Sequence, residues 1–263
     1  MTTEELAPPR DRVLGWAGML NVRDLGGLRT VDDRRVRWGA LVRSDLLCRL
    51  ADAGRNAPIE HGIRTIVDVR FGREVAADWD RYPYRDWQIE PAFNGLRYLN
   101  VPFHVKAAAD HKDVATSYDA ARTRADLNRL DLDFGQAGVS AIVSAMADAE
   151  AGGVLIHCHG GKDRTGMVVA VVLSFLGVPD DAIADDYALS SPNLESLIAE
   201  WLDSISRDPV ERDRLRMLAT PTRATMLDTL AYLRAAHGSA EAYLRAGGLS
   251  DAQLERLRER LLD

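Results

Sequence analysis

Residues 152–166 read Gly-Gly-Val-Leu-Ile-His-Cys-His-Gly-Gly-Lys-Asp-Arg-Thr-Gly, and the rest of the chain is organised around this stretch. The apolar run before His157, bounded by glycines, is typical of a short buried strand. The segment that follows, residues 167–177, is apolar at almost every position, which is typical of a buried helix. The sequence therefore predicts a strand, a short loop and a buried helix in direct succession.

The loop in this stretch, residues 158–166, has the composition of an anion-binding site, and we call it the anion loop. Its glycines, Gly160, Gly161 and Gly166, relax the steric limits on the backbone. Successive amide N–H groups can then turn inward at a helix N-terminus, where the helix dipole also favours negative charge. We therefore expect this loop to bind an oxyanion.

Cys158 opens the anion loop, and Arg164 follows it after five intervening residues. Inward amides, a helix N-terminus and a nearby guanidinium all favour the thiolate, which is the reactive form of a cysteine. An arginine can bind two phosphoryl oxygens at once, which a lysine cannot do. We predict Cys158 as a nucleophile, Arg164 as the phosphoryl-binding residue and the Thr165 hydroxyl as a hydrogen-bond donor to the sulfur.

The spacing of the cysteine and the arginine is by itself a weak signal in this chain. The chain has 33 basic residues, of which only Lys106, Lys112 and Lys162 are lysines. Arginine is so frequent that two cysteines would give this spacing by chance roughly one time in four. The preceding strand, the loop glycines and the apolar helix that follows make the pattern specific.

The pattern His-Cys-x-x-Gly-Lys-Asp-Arg-Thr-Gly resembles the loop of cysteine-dependent phosphatases. The Lys162–Asp163 pair is similar to that of an atypical bacterial and fungal family of protein tyrosine phosphatases. Three further stretches resemble that family, so that the resemblance covers most of the chain: residues 21–27, 42–45 and 62–70. The resemblance implies a cysteine-phosphatase-like fold and hydrolysis of phosphotyrosine through a phosphocysteine intermediate.

Such a reaction needs a general acid for the departing oxygen. By resemblance to the family, Asp163 is a candidate. Asp68, near the carboxyl end of a predicted strand, is the other. Each carboxylate has a structural alternative, an ion pair with a neighbouring arginine, and the sequence leaves the choice between them open.

The remaining loop residues are predicted to bind substrate. A lysine at the position of Lys162 also resembles phosphoinositide phosphatase loops and suits a highly anionic head group, although it could be a solvated loop charge. His157 is expected to support the loop by a hydrogen bond. The predicted substrate-binding residues are His159, Gly160, Gly161, Lys162, Thr165 and Gly166.

The sequence predicts neither a metal nor another cofactor. The side chains of His157, Cys158 and His159 alternate between the two faces of a strand, and no second cluster of cysteine and histidine follows. Cys48 lies among leucines and is expected to be a buried apolar residue. Two cysteines cannot form a disulfide framework, and a reducing compartment suits a thiolate enzyme.

Composition restricts the partners. At pH 7 the 263-residue chain has a formal net charge of −7, which argues against nucleic acid. No apolar stretch reaches the ~18 residues of a membrane span, and the N-terminus carries no hydrophobic leader. We expect a cytoplasmic enzyme, while the resemblance leaves secretion without a recognisable signal open.

The pattern of elements predicts an α/β fold with a central, mostly parallel sheet flanked by helices and a helical C-terminal part. We expect a flexible N-terminus over residues 1–18 and a single phosphatase domain over 19–263. Helices are predicted at residues 114–130 and 135–151. In parallel sheets ligands bind beyond the carboxyl ends of the strands, where Cys158 falls.

Apolar residues recur at helical spacing between Leu194 and Ile205. Such a stripe is most often part of a core. By resemblance to the family, residues 185–220 could instead form a lid over the pocket. Ser191 is predicted to cap this helix, with Pro192 at its first position.

The leading hypothesis is a metal-independent phosphatase that acts on phosphorylated proteins and releases inorganic phosphate. Phosphotyrosine is the first candidate substrate, with phosphoserine, phosphothreonine or phosphoinositide also considered. A phosphoinositide phosphatase is the main alternative. A sulfurtransferase and an inactive phospho-ligand-binding module are weaker alternatives.

Overall fold

The computed structural model describes residues 11–78, 95–104 and 112–263. Within them, five strands form one sheet in the order β1-β2-β5-β3-β4. Strands β1 and β2 are antiparallel and the other neighbouring pairs are parallel. The strands are β1 Arg23–Asp24, β2 Leu41–Ser44, β3 Ile63–Asp68, β4 Arg97–Asn100 and β5 Gly153–His157. The predicted mostly parallel sheet is confirmed.

Helices lie on both faces of the sheet and make up the C-terminal part of the chain. They are α1 Ala57–Glu60, α2 Gly72–Asp78, α3 Lys112–Ala120, α4 Arg124–Ala147, α5 Asp163–Phe175, α6 Asp180–Ala188, α7 Ser190–Asn193, α8 Glu195–Ile205, α9 Pro209–Ala219, α10 Arg223–His237, α11 Ala240–Ala246 and α12 Asp251–Leu261. Short 3-10 turns occupy Leu47–Arg49 and Asp52–Gly54.

Strand β5 lies at the centre of the sheet and divides two apolar cores. Val154 and Ile156 belong to the larger core, which includes residues of α4, α5 and α10 to α12. Leu155 belongs to a smaller core on the other face, together with Trp16 and Leu47. The alternation follows from the two-residue repeat of a strand. Burial on both faces explains why the strand is a continuous apolar run.

Helix α5 is buried along almost its whole length. Its valines and leucine pack between the sheet and the C-terminal helices, and each such side chain contributes roughly 1.5–3 kcal/mol when fully buried. The anion loop is therefore held between two buried elements, β5 and α5, so its ends have little freedom to move.

Two helices, α3 and α4, occupy the region where helices were predicted at residues 114–130 and 135–151, but the predicted break at residues 131–134 was wrong, because α4 runs through it without interruption. Thr123 begins α4 with a capping box to Asp126, so the true boundary lies at residue 123. Gly135 and Gly138 do not interrupt the helix. At Gly138 an added Cβ would come 1.8 Å from the carbonyl oxygen of Phe103, so these glycines permit close packing.

The structure differs from the sequence-based expectation at two other places. Residues 11–18 were expected to belong to a flexible N-terminus, but Val13 pairs with Arg23 and Trp16 is buried. Ser191 does not cap a helix, because α7 already begins at Ser190 and a separate α8 begins at Glu195. The rest of the predicted flexible terminus, residues 1–10, lies outside the described residues.

Candidate active site

The anion loop follows β5 and lies at the carboxyl edge of the sheet, between β2 and β3. A pocket of about 440 Å³ opens above it. The loop side of the pocket is polar and includes Cys158, His159, Gly160, Lys162, Asp163 and Arg164. The opposite side is apolar and comes mainly from α8 and α9: Leu194, Leu197, Ile198, Trp201, Leu215, Leu218 and Ala219.

The carbonyl groups of the anion loop point away from this pocket. Each accepts a hydrogen bond from outside the loop: His159 O from Leu46 N at 3.0 Å, Gly160 O from Asn21 Nδ2 at 2.9 Å, and Gly161 O from Arg43 Nη2 at 2.7 Å. In a planar trans peptide the next N–H points opposite to the carbonyl. The amides of Gly160, Gly161 and Lys162 are therefore directed toward the pocket.

Helix α5 begins without a side-chain cap. Lys162 occupies its N-cap position and makes no capping hydrogen bond. Side chains do cap α4, α10, α11 and α12. The first amides of α5 are thus left to an acceptor other than a capping side chain, which is the arrangement of an anion-binding helix N-terminus.

Gly161 has a specific steric reason to be glycine. Its φ is +65°, and an added Cβ would lie 2.2 Å from the carbonyl oxygen of Ser44. Strand β2 therefore supports the loop backbone at van der Waals contact, which leaves no room for a side chain.

The Arg164 guanidinium is fixed by a carboxylate from α2. Its Nη1 and Nη2 donate to the two oxygens of Glu74 at 2.6 and 2.9 Å. Glu74 also accepts a hydrogen bond from Phe71 N at 2.9 Å. Burial alone would lower the pKa of Arg164, but the hydrogen bonds that it donates to Glu74 and the charge of Cys158 raise it above its ordinary value. The guanidinium is thus charged and oriented.

Two further cations of the pocket hold the end of α9. Arg124 Nε donates to Leu218 O at 2.5 Å, and Lys162 Nζ donates to Ala219 O. Cations at the carbonyl end of a helix also interact favourably with its dipole. The pKa of Lys162 is lowered, mainly by burial and also by Arg124, while Asp163 opposes this shift.

Asp163 and Asp68 occupy very different places. Asp163 is the first residue of α5, lines the pocket and lies 3.5 Å from Arg124 Nη1 and 3.7 Å from Lys162 Nζ. Its Oδ1 accepts no hydrogen bond from any residue that the structure describes. Asp68 is fully buried and does not line this pocket. The structure therefore brings Asp163, but not Asp68, to the cysteine side of the pocket.

The Asp68 carboxylate is enclosed by donors. It accepts hydrogen bonds from Arg70 Nη2 at 2.6 Å and from the Tyr98 hydroxyl at 2.7 Å, and His157 Nε2 lies 3.5 Å away. Burial favours the neutral acid, but the charge interaction with His157 and the ion pair with Arg70 outweigh it and lower the pKa of Asp68 to about 2. At neutral pH this carboxyl has no proton to give.

Cys158 is a free thiol with 2% of its surface exposed. Its charge interaction stabilises the cationic forms of Arg43, Lys162 and Arg164, so three cations surround the sulfur. Thr165 is fully buried, and its hydroxyl has no hydrogen-bond partner among the described residues, so the predicted donation to the Cys158 sulfur is not made in this structure. Cys48 is buried, in agreement with the prediction.

Sequence reasoning missed the side chains that support the loop from a distance. Glu74, Arg124 and Asp186 lie in three different helices. Their partners, Arg164, Leu218 and Arg23, are 90, 94 and 163 positions away in the chain. No local motif marks such residues. Arg23 and Arg43 also make buried contacts, Arg23 with Asp186 and Arg43 with Gly161 O.

Neither a metal-binding cluster nor a membrane-spanning helix is found among the described residues. In the described part of the chain, no group of three or more histidine, cysteine or acidic residues could hold a metal ion. Likewise, no helix among the described residues is long and apolar enough to cross a membrane.

A parallel sheet with a cysteine loop between its central strand and a buried helix defines a cysteine-phosphatase-like α/β protein. A family model described as the tyrosine phosphatase family matches residues 14–263. The chain therefore belongs to the tyrosine phosphatase family and is a protein-tyrosine-phosphatase.

Two relatives show how far the similarity extends. The triple specificity protein phosphatase PtpB of Mycobacterium tuberculosis is 30% identical over 278 aligned residues, which cover 93% of this chain and 97% of that protein. A tyrosine-protein phosphatase of Nostoc commune is 28% identical over 230 residues, which cover 84% of this chain and 74% of the relative.

Proposed function

We propose that this enzyme hydrolyses phosphotyrosine through a phosphocysteine intermediate. The Cys158 thiolate attacks phosphorus in line, the P–O bond to the tyrosine breaks, and Asp163 gives its proton to the departing phenolate. Asp163 then takes a proton from water, which attacks phosphorus and breaks the P–S bond. Inorganic phosphate and the thiolate are the products, and no cofactor takes part.

The observation that carries this proposal is the direction of the loop backbone. Outward carbonyls turn three consecutive amides toward the space above Cys158, at the uncapped start of α5. Donors fixed in this way stabilise charge that develops on the equatorial phosphoryl oxygens, without any reorganisation during the reaction.

Arg164 supplies the remaining charge. A guanidinium has five N–H donors, and Glu74 takes one from each terminal nitrogen. The other donors stay available for phosphoryl oxygens. Glu74 thus orients Arg164 without using up its capacity to bind phosphate.

Asp163 is favoured over Asp68 as the general acid. Asp163 lines the pocket, whereas Asp68 is buried behind Arg70 and Tyr98, with its pKa lowered to about 2. A general acid must carry a proton and reach the leaving group. We assign Asp68 to the support of His157 and the end of β3.

The shape of the pocket favours phosphotyrosine as substrate. An aromatic ring above the loop would contact the apolar wall formed by Leu197, Trp201 and Leu215. A second candidate is a phosphoinositide, because Arg49, Arg124 and Lys162 add positive charge beyond Arg164. The printed name of the mycobacterial relative, a triple specificity phosphatase, supports testing more than one class.

The test is hydrolysis of p-nitrophenyl phosphate in the presence of a chelator. We expect turnover by the wild type, loss of at least ~1000-fold in kcat for Cys158→Ser, and near wild-type activity for the buried-cysteine control Cys48→Ser. A fully active Cys158→Ser variant would contradict the mechanism, and complete loss of wild-type activity with chelator would point to a metal.

A substrate panel then separates the candidates. Phosphotyrosine, phosphoserine and phosphothreonine peptides are compared with phosphoinositides at equal concentration. The highest kcat/KM is expected for phosphotyrosine. Preference for phosphoinositide would favour the second candidate, and turnover of thiosulfate would favour a sulfurtransferase.

A further inference from the structure

An unusual group of charges lies behind the anion loop. Three guanidinium groups share the single carboxylate of Asp186: Arg23 Nε donates to Oδ1 at 2.9 Å, Arg43 Nη1 donates to Oδ2 at 2.7 Å, and Arg12 also contacts Oδ1. Arg23, Arg43 and Asp186 are each no more than 1% exposed. Arg12 is 24% exposed, and the three buried side chains together carry a net charge of +1, which is costly to bury without compensation.

Arg43 connects this group of charges to the loop. Its Nη2 donates to Gly161 O at 2.7 Å and lies 3.4 Å from Lys162 O. An added Cβ at Gly166 would lie 3.3 Å from the same nitrogen, so the guanidinium sits against the first turn of α5. Arg23, by contrast, donates to Asn21, Asp186 and Ser190, and among the described residues none of its hydrogen bonds reaches a loop atom directly, although Asn21 in turn donates to Gly160 O.

We propose that Arg43 is a positioning residue for phosphate. It holds the carbonyls of Gly161 and Lys162 away from the pocket, which directs the amides of Lys162 and Asp163 toward the phosphoryl oxygens. The bound anion in turn compensates the buried positive charge. The inference rests on the proposed function in one respect, that the anion is the phosphoryl group of a substrate.

The electrostatics around Arg43 agree with this role. Its pKa is lowered to about 10, mainly by burial and then by Arg23, while Asp186 and Cys158 oppose the shift. The pKa of Asp186 is held well below its usual range, because the three arginines outweigh the effect of burial. A further anion at the loop therefore stabilises charges that the fold has already buried.

The geometry requires an arginine in particular. Two ends of one rigid guanidinium reach Asp186 and the loop carbonyls at the same time. A lysine keeps the charge but places all its donors at one point, so it can serve one partner well and the other poorly. Arg43→Lys should therefore show an intermediate defect.

The probe is inorganic phosphate, and its dissociation constant is measured by calorimetry. We expect Arg43→Met to weaken phosphate binding at least tenfold and Arg43→Lys to weaken it less. The comparison variant, Arg23→Met, removes an equally buried partner of Asp186 that does not contact the loop. It should lower the unfolding temperature by a similar amount but change phosphate affinity less than threefold.

A second readout is the reaction of Cys158 with iodoacetamide as a function of pH. We expect the rise in rate to move to higher pH in Arg43→Met, because a cation near the sulfur is lost, and to stay nearly in place in Arg43→Lys. The other charged and titratable groups around Cys158 remain present in both variants. His157 is its neighbour in the chain, and the residues that line the same pocket are Arg49, Arg124, His159, Lys162, Asp163 and Arg164.

These results are distinguishable from failure of the proposed function, because phosphate binding and alkylation need no turnover. If the wild type binds phosphate but hydrolyses no ester, the proposed function falls and this inference stands. If Arg43→Met and Arg23→Met weaken phosphate equally, Arg43 has only a structural role. If Arg43→Met does not fold, the phosphate affinity of Arg43→Lys is compared with that of Arg23→Met instead. A wild-type phosphate affinity in Arg43→Lys then overturns the inference.

Discussion

A single carboxyl group, Asp163, lines the cysteine side of the pocket, where a general acid must lie to reach the leaving group. It lies at the start of α5, close to Arg124 and Lys162, and its Oδ1 has no hydrogen-bond partner among the described residues. Asp68, by contrast, is fully buried and accepts hydrogen bonds from Arg70 and Tyr98. Their substitution should therefore have different kinetic signatures.

We predict that Asp163→Asn lowers kcat on an alkyl phosphate about 100-fold and on an aryl phosphate much less. An alkoxide leaves only with a proton, whereas a phenolate departs more easily without one. The measurement is steady-state kinetics with phosphoserine and p-nitrophenyl phosphate.

Asp68→Asn is the matched control. It should keep the ratio of the alkyl to the aryl rate near that of the wild type, even if both rates fall. If Asp68→Asn lost its activity on the alkyl phosphate while Asp163→Asn stayed fully active, Asp68 and not Asp163 would be the general acid.

At this scale the sequence was informative for residues that act within one short segment. Cys158, Arg164 and the loop glycines could be proposed from the spacing and the adjoining apolar runs, and Asp163 from the resemblance of the loop to a known family. Glu74 and Asp186 could not, because an ion pair between residues far apart in the chain leaves no periodic or local pattern.

Helices α8 and α9 form a small unit of their own. Leu194, Ile198, Leu202 and Ala219 make a cluster separate from the two sheet cores. The cluster is joined to the active site through the hydrogen bonds of Arg124 and Lys162 to the end of α9. Both helices form one wall of the pocket, and this position is compatible with the lid expected over residues 185–220.

We predict that amides of residues 195–219 exchange with solvent at least ~10-fold faster than those of residues 163–175, because a small cluster opens at a lower free-energy cost than the main core. Hydrogen exchange followed by mass spectrometry measures this. Helix α12 is the control, because it is also peripheral but packs into the larger core. Equal protection in all four helices, α5, α8, α9 and α12, would argue for a fixed wall.

Element boundaries were predictable where a local signal decided them. Ser250 and Gln253 form a capping box at the start of α12, and β5 coincides with the apolar run before His157 that was predicted to be a strand. The break between α3 and α4 was misplaced, because Gly135 looks like a helix boundary in sequence. Its actual role is to approach Phe103, which only the tertiary packing reveals.

The fold as a whole places several carboxylates next to arginine in buried surroundings, which makes its stability depend on acidity. Asp68, Glu74 and Asp186 all have lowered pKa values in the folded protein. A group with a lowered folded pKa binds fewer protons when folded, so the free energy of unfolding falls as the pH falls. This stabilisation is complete above the unfolded pKa of each group.

For Asp68 the window can be stated. Its pKa is about 2 when folded, against about 3.9 when unfolded. It should contribute about 2 kcal/mol above pH ~5, and this contribution should be lost as the pH falls toward ~1. Urea unfolding of the wild type and Asp68→Asn between pH 2 and 6 measures it. The difference in the free energy of unfolding between the two proteins should become smaller as the pH approaches 2. A difference that stays constant with pH would show that the ion pair of Asp68 does not cause it.

The scarcity of lysine gives the pocket a chemical property of its own. Of the three lysines in the chain, Lys162 borders the anion loop, and burial together with Arg124 lowers the pKa of its amine. Its uncharged, acylatable form is therefore more abundant in mildly alkaline solution than that of a solvent-exposed lysine. An activated ester or sulfonyl fluoride joined to a phosphate mimic would find few competing amines, so this enzyme offers a route to covalent inhibitors that leaves its cysteine untouched.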